Sequence, residues 1–216
     1  MSAPRLFILG AGGHGKVAAD CARAQGLWSA IEFFDDRWPG VSACAEWPVV
    51  GTGADLLRRD KIGHEIFVAI GEAGTRLTWI ERLREAGFEL ATIIHPRAIV
   101  SSGAWIGPAS LVAAGAVVNI GARLGEGVIV NTAASVDHDC ALGAGAHICP
   151  GAHLAGGVEI GRGAWIGVGA AVRQGIRIGM GAVIGAGAAV VKDIGDGVTA
   201  HGVPAKPLAE RARDGR

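Results

Sequence analysis

The sequence has no excess of either charge, no closely paired cysteines and no hydrophobic run long enough to cross a bilayer. Its 20 basic and 20 acidic residues form no basic block, so we expect no nucleic-acid partner. The apolar stretch 6–9 is too short for a signal peptide, and no stretch suits a membrane span. The 4 cysteines show no CxxC spacing, which favours reduced thiols and a cytoplasmic location.

The second half of the chain carries a repeat of six residues instead. Aliphatic side chains recur at this spacing without a slip, and a short fixed period indicates a solenoid; six is the β-helix period. The seventeen repeating residues are Ile94, Val100, Ile106, Val112, Val118, Leu124, Val130, Val136, Leu142, Ile148, Leu154, Ile160, Ile166, Val172, Ile178, Ile184 and Val190.

Two further positions of each hexad are restricted. Counted from the aliphatic residue, the fourth is Gly in 12 hexads and the fifth is small or β-branched almost throughout. This pattern predicts a triangular coil with three short strands per turn and Gly at bends that need positive φ. Three hexads make one coil of 18 residues, so we expect about five coils.

The N-terminal part predicts a different fold, with alternating strands and helices. A buried strand at 6–9 leads into Gly10-Ala11-Gly12-Gly13-His14-Gly15 and a helix at 16–25. Further strands at 31–34 and 66–70 precede a helix at 75–86. This order indicates an α/β half-Rossmann domain.

The Gly pattern of that turn is GxGxxG between a strand and a helix, which suits a phosphate at a helix N-terminus. Asp35 and Asp36 follow the second strand, where an acid can reach a ribose hydroxyl. Only one βαβ half precedes the repeats, so a mononucleotide or sugar nucleotide is favoured over NAD. A tight turn that binds nothing stays open as an alternative.

One hexad departs from the repeat, with Asp137-His138-Asp139 at its bend and Asp139 in the usual Gly position. The imidazole of His138 can accept a proton near pH 7, and a neighbouring carboxylate can orient it. The 18-residue period stacks Asn119 beside Asp137 and Gly156 beside His138. We therefore predict a catalytic base at this bend; a solvated surface histidine is the alternative.

The other histidines and cysteines give weaker signals. His147 and His153 fall on different faces of one prism and cannot share a zinc ion with His138 within one chain. A site between subunits, as in γ-class carbonic anhydrases, stays open. Cys140 occupies an inward position and is interpreted as a packed thiol, whereas Cys149 has no evident base.

The motifs together resemble one family. GAGGHG, Phe34-Asp35-Asp36, Ala69-Ile70-Gly71, Asn131-Thr132, Asp137-His138-Asp139-Cys140 and Gly202-Val203-Pro204-Ala205-Lys206 occur in this order. They resemble the sugar O/N-acyltransferases of the sialic-acid O-acetyltransferase type. This family belongs to the hexapeptide-repeat left-handed β-helix superfamily and includes N-acetyltransferases of nucleotide-linked 4-amino-4,6-dideoxy sugars.

The resemblance implies an α/β N-terminal half-Rossmann domain followed by an all-β left-handed parallel β-helix. It divides the chain into a sugar-nucleotide-binding domain at 1–91, an acyltransferase β-helix at 92–203 and a C-terminal tail at 204–216. It also implies a homotrimer with active sites in grooves between neighbouring prisms.

The resemblance further implies roles for individual residues. His138 would be the general base and Asp139 its acidic partner, although many relatives carry Glu there. Asn119, beside Asp137, is placed in the substrate site. The nucleotide and sugar would be held by Gly12, Gly13, His14, Asp35, Asp36, Gly71 and Asn131. The acetyl-CoA co-substrate would contact His147, Gly156, Val168, Ala186 and Lys206.

We therefore predict an acetyl-CoA-dependent N-acetyltransferase that acts on the 4-amino group of a UDP- or GDP-linked 4-amino-4,6-dideoxy sugar. It would need no metal and would serve surface-polysaccharide synthesis. O-acetylation of sialic acid or a related sugar is one alternative. A metal-dependent hydratase resembling γ-class carbonic anhydrase, or a non-catalytic β-helix module, is another.

Overall fold

The computed structural model describes residues 3 to 208. Residues 209 to 216 of the predicted C-terminal tail lie outside the described residues. No helix within the described range is long and apolar enough to cross a membrane.

The N-terminal part contains a parallel four-stranded sheet with helices on both sides. The sheet order is β2-β1-β5-β6, and β3 and β4 form a small hairpin. The elements are β1 (Arg5–Leu9), α1 (Gly13–Gln25), β2 (Ala30–Phe34), β3 (Ala43–Cys44), β4 (Trp47–Pro48), α2 (Gly53–Leu56), β5 (His64–Val68), α3 (Ala73–Glu85) and β6 (Glu89–Leu90).

Helix α1 begins at Gly13, three residues before the predicted start at Lys16. Gly15 lies in its first turn, where an added Cβ would overlap the carbonyl oxygen of Gly10. Gly15, one of the glycines that hid the helix start, thus allows α1 to pack closely on the end of β1. Helix α3 likewise begins at Ala73, two residues earlier than predicted, with Glu72 as its N-cap.

The second part is a parallel β-helix of about six turns, one more than the predicted five. Its strands each span two residues up to β23. They are β7 (Ile93–Ile94), β8 (Ile99–Val100), β9 (Trp105–Ile106), β10 (Leu111–Val112), β11 (Val117–Val118), β12 (Arg123–Leu124), β13 (Ile129–Val130), β14 (Ser135–Val136), β15 (Ala141–Leu142), β16 (His147–Ile148), β17 (His153–Leu154), β18 (Glu159–Ile160), β19 (Trp165–Ile166), β20 (Ala171–Val172), β21 (Arg177–Ile178), β22 (Val183–Ile184), β23 (Ala189–Val190), β24 (Thr199–His201) and β25 (Lys206–Pro207).

These strands form three parallel faces, with β25 added antiparallel to β24. Face 1 contains β7, β10, β13, β16, β19, β22 and β24; face 2 contains β8, β11, β14, β17, β20 and β23; face 3 contains β9, β12, β15, β18 and β21. We call the bends between faces edge 1–2 (for example 131–134), edge 2–3 (137–140) and edge 3–1 (143–146). The predicted fold class is confirmed.

The repeating aliphatic residues and the small fifth-position residues point inward and form the core of the β-helix. The fourth position adopts positive φ at most bends, as predicted. Three bends hold this conformation without Gly, at Ala109, Ala133 and Asp139. Asp and Ala pay for the left-handed conformation with strain that Gly avoids.

Face 1 packs against the N-terminal part. Ala18 and Ala22 of α1 share a buried cluster with Leu111 and Ile129 of face 1. On the other side, Leu77 of α3 packs with the residues of edge 3–1. Edge 2–3 is the edge of the prism that does not border face 1.

Candidate active site

The predicted base lies on edge 2–3, directly after β14. The His138 ring is exposed, and its Nδ1 lies 2.9 Å from Asp139 Oδ2. This contact raises the pKa of His138 above 6.5, and the charge of Asp137 adds to the effect. With Nδ1 engaged by the carboxylate, Nε2 is left to accept a proton from a substrate.

The bend that carries the base is fixed by its own side chains. Asp137 Oδ1 accepts hydrogen bonds from the backbone N–H of His138 and from Asn119 Nδ2, each at 2.8 Å. The Asn119 bond is the main cause that lowers the Asp137 pKa. The predicted stacking of Asn119 beside Asp137 is therefore confirmed, with Asn119 supporting the bend.

Two glycines make room for this pair. A Cβ on Gly156, one coil later, would lie 2.5 Å from Cε1 and 3.1 Å from Cδ2 of His138. A Cβ on Gly121, one coil earlier, would overlap the Asp139 carboxylate. Gly156 does not have positive φ, so the space for the imidazole, and not the backbone conformation, accounts for a glycine here. The predicted stacking of Gly156 beside His138 is confirmed.

A second cluster lies where the N-terminal part meets face 1. His147 Nε2 is 3.2 Å from Asn131 Nδ2. The ring centroids of His14 and His147 are 6.2 Å apart, and that of Trp165 is 4.2 Å from His147. Three residues predicted from separate motifs thus meet within one chain. Trp165 was not predicted, although the 18-residue period places it beside His147.

Both histidines of this cluster are held neutral. Burial lowers the pKa of His14 to about 4 and that of His147 to about 3, with nearby charges adding to the shift. His14 Nε2 and His147 Nδ1 are buried and have no hydrogen-bond partner among residues 3–208. Buried polar atoms are nearly always paired, so these two are suited to polar groups of a ligand.

The predicted nucleotide site lies at the carboxyl ends of the N-terminal strands. A cavity of about 180 Å³ is lined there by Leu9, Gly10, Asp35, Asp36, Ile70 and Trp79. Ligands of open α/β sheets bind at this end of the strands. Gly12 and Gly13 stand exposed at the start of α1. Gly71 lies three residues after β5, which ends at Val68 and not at Ile70 as predicted.

Both acids already have partners in the chain. Asp35 accepts a hydrogen bond from the Ala11 N–H and pairs with Arg37, the first cause of its strongly lowered pKa. Asp36 accepts from the Gly53 N–H at the start of α2. Their contact with the nucleotide stays a prediction. The structure shows that Asp35 holds the Gly turn through its hydrogen bond from the Ala11 N–H.

A buried cation joins the nucleotide loop to the β-helix. Arg76 of α3 has no exposed surface. Its guanidinium donates to the carbonyls of Ile70 and Gly71 beside the cavity and to those of Gly127 and Gly145 on edge 3–1. Desolvation lowers its pKa to about 10, so it stays charged at neutral pH. The sequence had given no signal for this residue.

The remaining predicted contacts for acetyl-CoA lie along the prism. Val168 and Ala186 are exposed and stack on edge 1–2, in the same column as Thr132, the neighbour of Asn131. Lys206 is exposed in β25. The thiols of Cys140 and Cys149 are buried, which fits packed side chains. The described residues contain no group of three or more metal-binding side chains.

The N-terminal residues 5–83 match the family model described as the PglD N-terminal domain. The acetyltransferase domain of PglB from Neisseria gonorrhoeae FA1090, solved in complex with acetyl coenzyme A, is 48% identical over 95% of this chain and 99% of that one, with a TM-score of 0.92. The chain belongs to this family of sugar N-acyltransferases with a hexapeptide-repeat β-helix.

Two further relatives of this acyltransferase bear on its substrate. PerB from Caulobacter crescentus, solved with CoA and GDP-perosamine, is 40% identical over 95% of this chain and 97% of that one, with a TM-score of 0.90. A UDP-N-acetylbacillosamine N-acetyltransferase from Bacillus subtilis (strain 168) is 37% identical over 110 residues. That match spans about half of each protein, 50% of this chain and 51% of the relative. The family predicted from the sequence is confirmed.

Proposed function

We propose that the protein transfers an acetyl group from acetyl-CoA to the 4-amino group of a UDP- or GDP-linked 4-amino-4,6-dideoxy sugar. Two of the relatives named above support this substrate class: PerB was solved with GDP-perosamine, and the relative from Bacillus subtilis is named for a UDP-linked amino sugar. The observation that carries the proposal is the His138–Asp139 pair, whose free Nε2 faces a bare glycine.

The reaction needs a base because the attacking amine must lose a proton. The sugar nitrogen attacks the thioester carbonyl, a C–N bond forms, and Nε2 of His138 takes the proton from nitrogen. The C–S bond then breaks, and CoA leaves as a thiol when the proton passes to sulfur. Asp139 holds the ring in the tautomer that keeps Nε2 unprotonated beforehand and stabilises the imidazolium that forms.

The proposal includes a homotrimer, because one chain does not bring the two clusters together. His138 lies on edge 2–3, whereas His14, Asn131 and His147 lie at face 1 and edge 1–2. In a closed ring of three copies, edge 2–3 of each copy meets edge 1–2 of the next. The two clusters then come together at each of the three subunit contacts. The N-terminal part covers face 1, so face 1 points outward and face 2 points to the axis.

The side chains at the centre of each face support this arrangement. Face 2 presents Ile99, Val117, Ser135, His153, Ala171 and Ala189, which are apolar or small apart from one pair. Face 3 presents Trp105, Arg123, Ala141, Glu159 and Arg177. Three of these five side chains are charged, and burying them in a subunit contact would be costly. In the trimer, Gly156 of one copy and Val168 and Ala186 of the next line one groove, where acetyl-CoA lies with Lys206 near a phosphate.

Thiol release in the presence of a panel of UDP-, GDP- and CMP-linked sugars tests the activity. We expect turnover with a 4-amino sugar and none with the 4-hydroxyl analogue; the opposite preference would favour O-acetylation. His138→Asn keeps a polar group near the position of Nδ1 but has no atom at the position of Nε2, so it should abolish turnover while acetyl-CoA still binds. Near-normal turnover of that variant would refute the base assignment.

Mixed trimers test whether the site lies between subunits. We expect His138→Asn and Asn131→Ala each to inactivate all sites of their own trimer. Random mixing restores both groups at about a quarter of the shared sites in a closed ring, so about a quarter of the activity should return. A site within one chain would give no recovery.

We further place the protein in surface-polysaccharide synthesis in the cytoplasm. Its four cysteines are buried and unpaired, which fits a reducing compartment.

A further inference from the structure

The centre of face 2 contains one polar pair in an otherwise apolar or small column. His153 is exposed in the single chain, and its Nδ1 lies 2.8 Å from Ser135 Oγ, one coil earlier. Ile99 and Val117 stand on one side of this pair, and Ala171 and Ala189 on the other. An apolar subunit contact would be more stable without a histidine at its centre. We therefore expect the His153–Ser135 pair to have a function.

In the proposed trimer the central column of face 2 lies nearest the threefold axis. Six residues per face at ~3.3 Å each give a face at most ~20 Å wide. Three such faces that meet at their edges leave the centre of each ~6 Å from the axis. A histidine side chain spans roughly 4.5 Å from its Cα to Nε2, and a bond from Nε2 to Zn²⁺ adds ~2.0 Å, so an ion on the axis is within reach of all three copies of His153.

The contact with Ser135 fixes which nitrogen points to the axis. When Ser135 Oγ accepts a hydrogen bond from Nδ1–H, the lone pair of Nε2 is free. Metal-bound histidines show this pattern, with the other ring N–H donated to an acceptor that sets the tautomer and orientation.

We propose that three copies of His153 bind one divalent transition-metal ion, of the Zn²⁺ class, on the threefold axis. Imidazole suits such metals, and three Nε2 atoms leave a fourth tetrahedral position for water. Ala171 and Ala189 leave space below the site for entry, while Ile99 and Val117 close the axis above it. The ion cross-links the subunits and takes no part in acetyl transfer. This inference rests on the trimer of the proposed function.

The test uses the full chain without a polyhistidine tag. After chelation and gel filtration, the protein is loaded with Zn²⁺ or Co²⁺, and bound metal is measured together with molar mass, Tm and turnover. We expect one ion per three chains, a higher Tm with metal, and a Co²⁺ absorption spectrum typical of tetrahedral nitrogen ligands. His153→Ala should bind none, while His201→Ala, an exposed histidine outside face 2, should bind as the parent does.

The outcomes separate this inference from the proposed function. An active trimer that binds no metal, or that binds equally with His153→Ala, overturns the metal site alone. A monomer without turnover overturns the proposed function and the metal site together. Loss of turnover upon chelation, while the molar mass stays that of a trimer, would refute the claim that the ion is outside the chemistry.

Discussion

The Gly156→Ala substitution displaces the ring of His138 and leaves the catalytic residue itself unchanged. The added Cβ would lie 2.5 Å from Cε1 of His138, whereas ordinary contacts begin near 3.4 Å, so the ring has to move by about 1 Å. A misplacement of ~1 Å can cost ~10²-fold in rate, and general-base catalysis contributes ~10²–10⁴-fold. We therefore expect kcat to fall by about 10²-fold.

The fold should tolerate this change. Gly156 does not adopt positive φ, and His138 is exposed and can rotate outward, so Tm should stay close to that of the parent. Thiol release at saturating substrates measures kcat, and thermal unfolding measures Tm. Gly195→Ala is the matched control, because the nearest atom to its added Cβ, in Val198, is 3.7 Å away. A kcat within about twofold of the parent would refute the assigned position of the base.

Three further substitutions test the pair and its support. Asp139→Gly removes a non-Gly residue at φ 59, so the free energy of unfolding should rise by up to ~1 kcal/mol in chemical denaturation. The kcat should fall because the partner of His138 is lost. Lower stability would contradict the strain argument. Asp139→Asn removes the group that raises the His138 pKa, so the unprotonated base persists to lower pH and the acidic limb of the kcat/KM profile should shift downward; an unmoved limb would exclude His138 as its origin. Arg76→Met leaves four carbonyls without their donor. Because each buried acceptor left unpaired costs ~1–3 kcal/mol, stability measured by urea unfolding should fall by several kcal/mol, and KM for the nucleotide sugar should rise. A stable variant with unchanged KM would show that Arg76 does not position the loop.

The β-helix was predictable because its information is local. Each hexad repeats the same inward and bend positions, so one rule places every strand and every 18-residue neighbour. The Asn119–Asp137 hydrogen bond and the space at Gly156 both follow from that arithmetic. The predicted helix starts were wrong because they depend on contacts between distant parts of the chain, which no local pattern shows. Gly13 and Gly15 have low helix propensity, and the close approach to Gly10, which explains Gly15, is visible only in the structure.

The contacts between the two parts of the chain could not be predicted. Nothing in the sequence pairs a position on α3 with a bend far along the repeat. Arg76 reads as a solvated charge on a helix surface, yet it donates to Gly127 and Gly145. His14 and His147 likewise meet only because α1 lies on face 1. The resemblance named both as binding residues, but the unpaired nitrogens that support this required coordinates.

The placement of Asp139 explains how a rigid repeat can carry a catalytic pair without an inserted loop. Its bend needs positive φ, and a side chain there leaves the backbone in a direction that no other position of the hexad offers. That direction brings Oδ2 to within 2.9 Å of Nδ1 of the preceding residue. Gly in this position would relax the bend and remove the partner, so the strain and the raised pKa of His138 have the same origin. The stacked coils above and below, bare at Gly121 and Gly156, hold the backbone in place and leave the two side chains room to act.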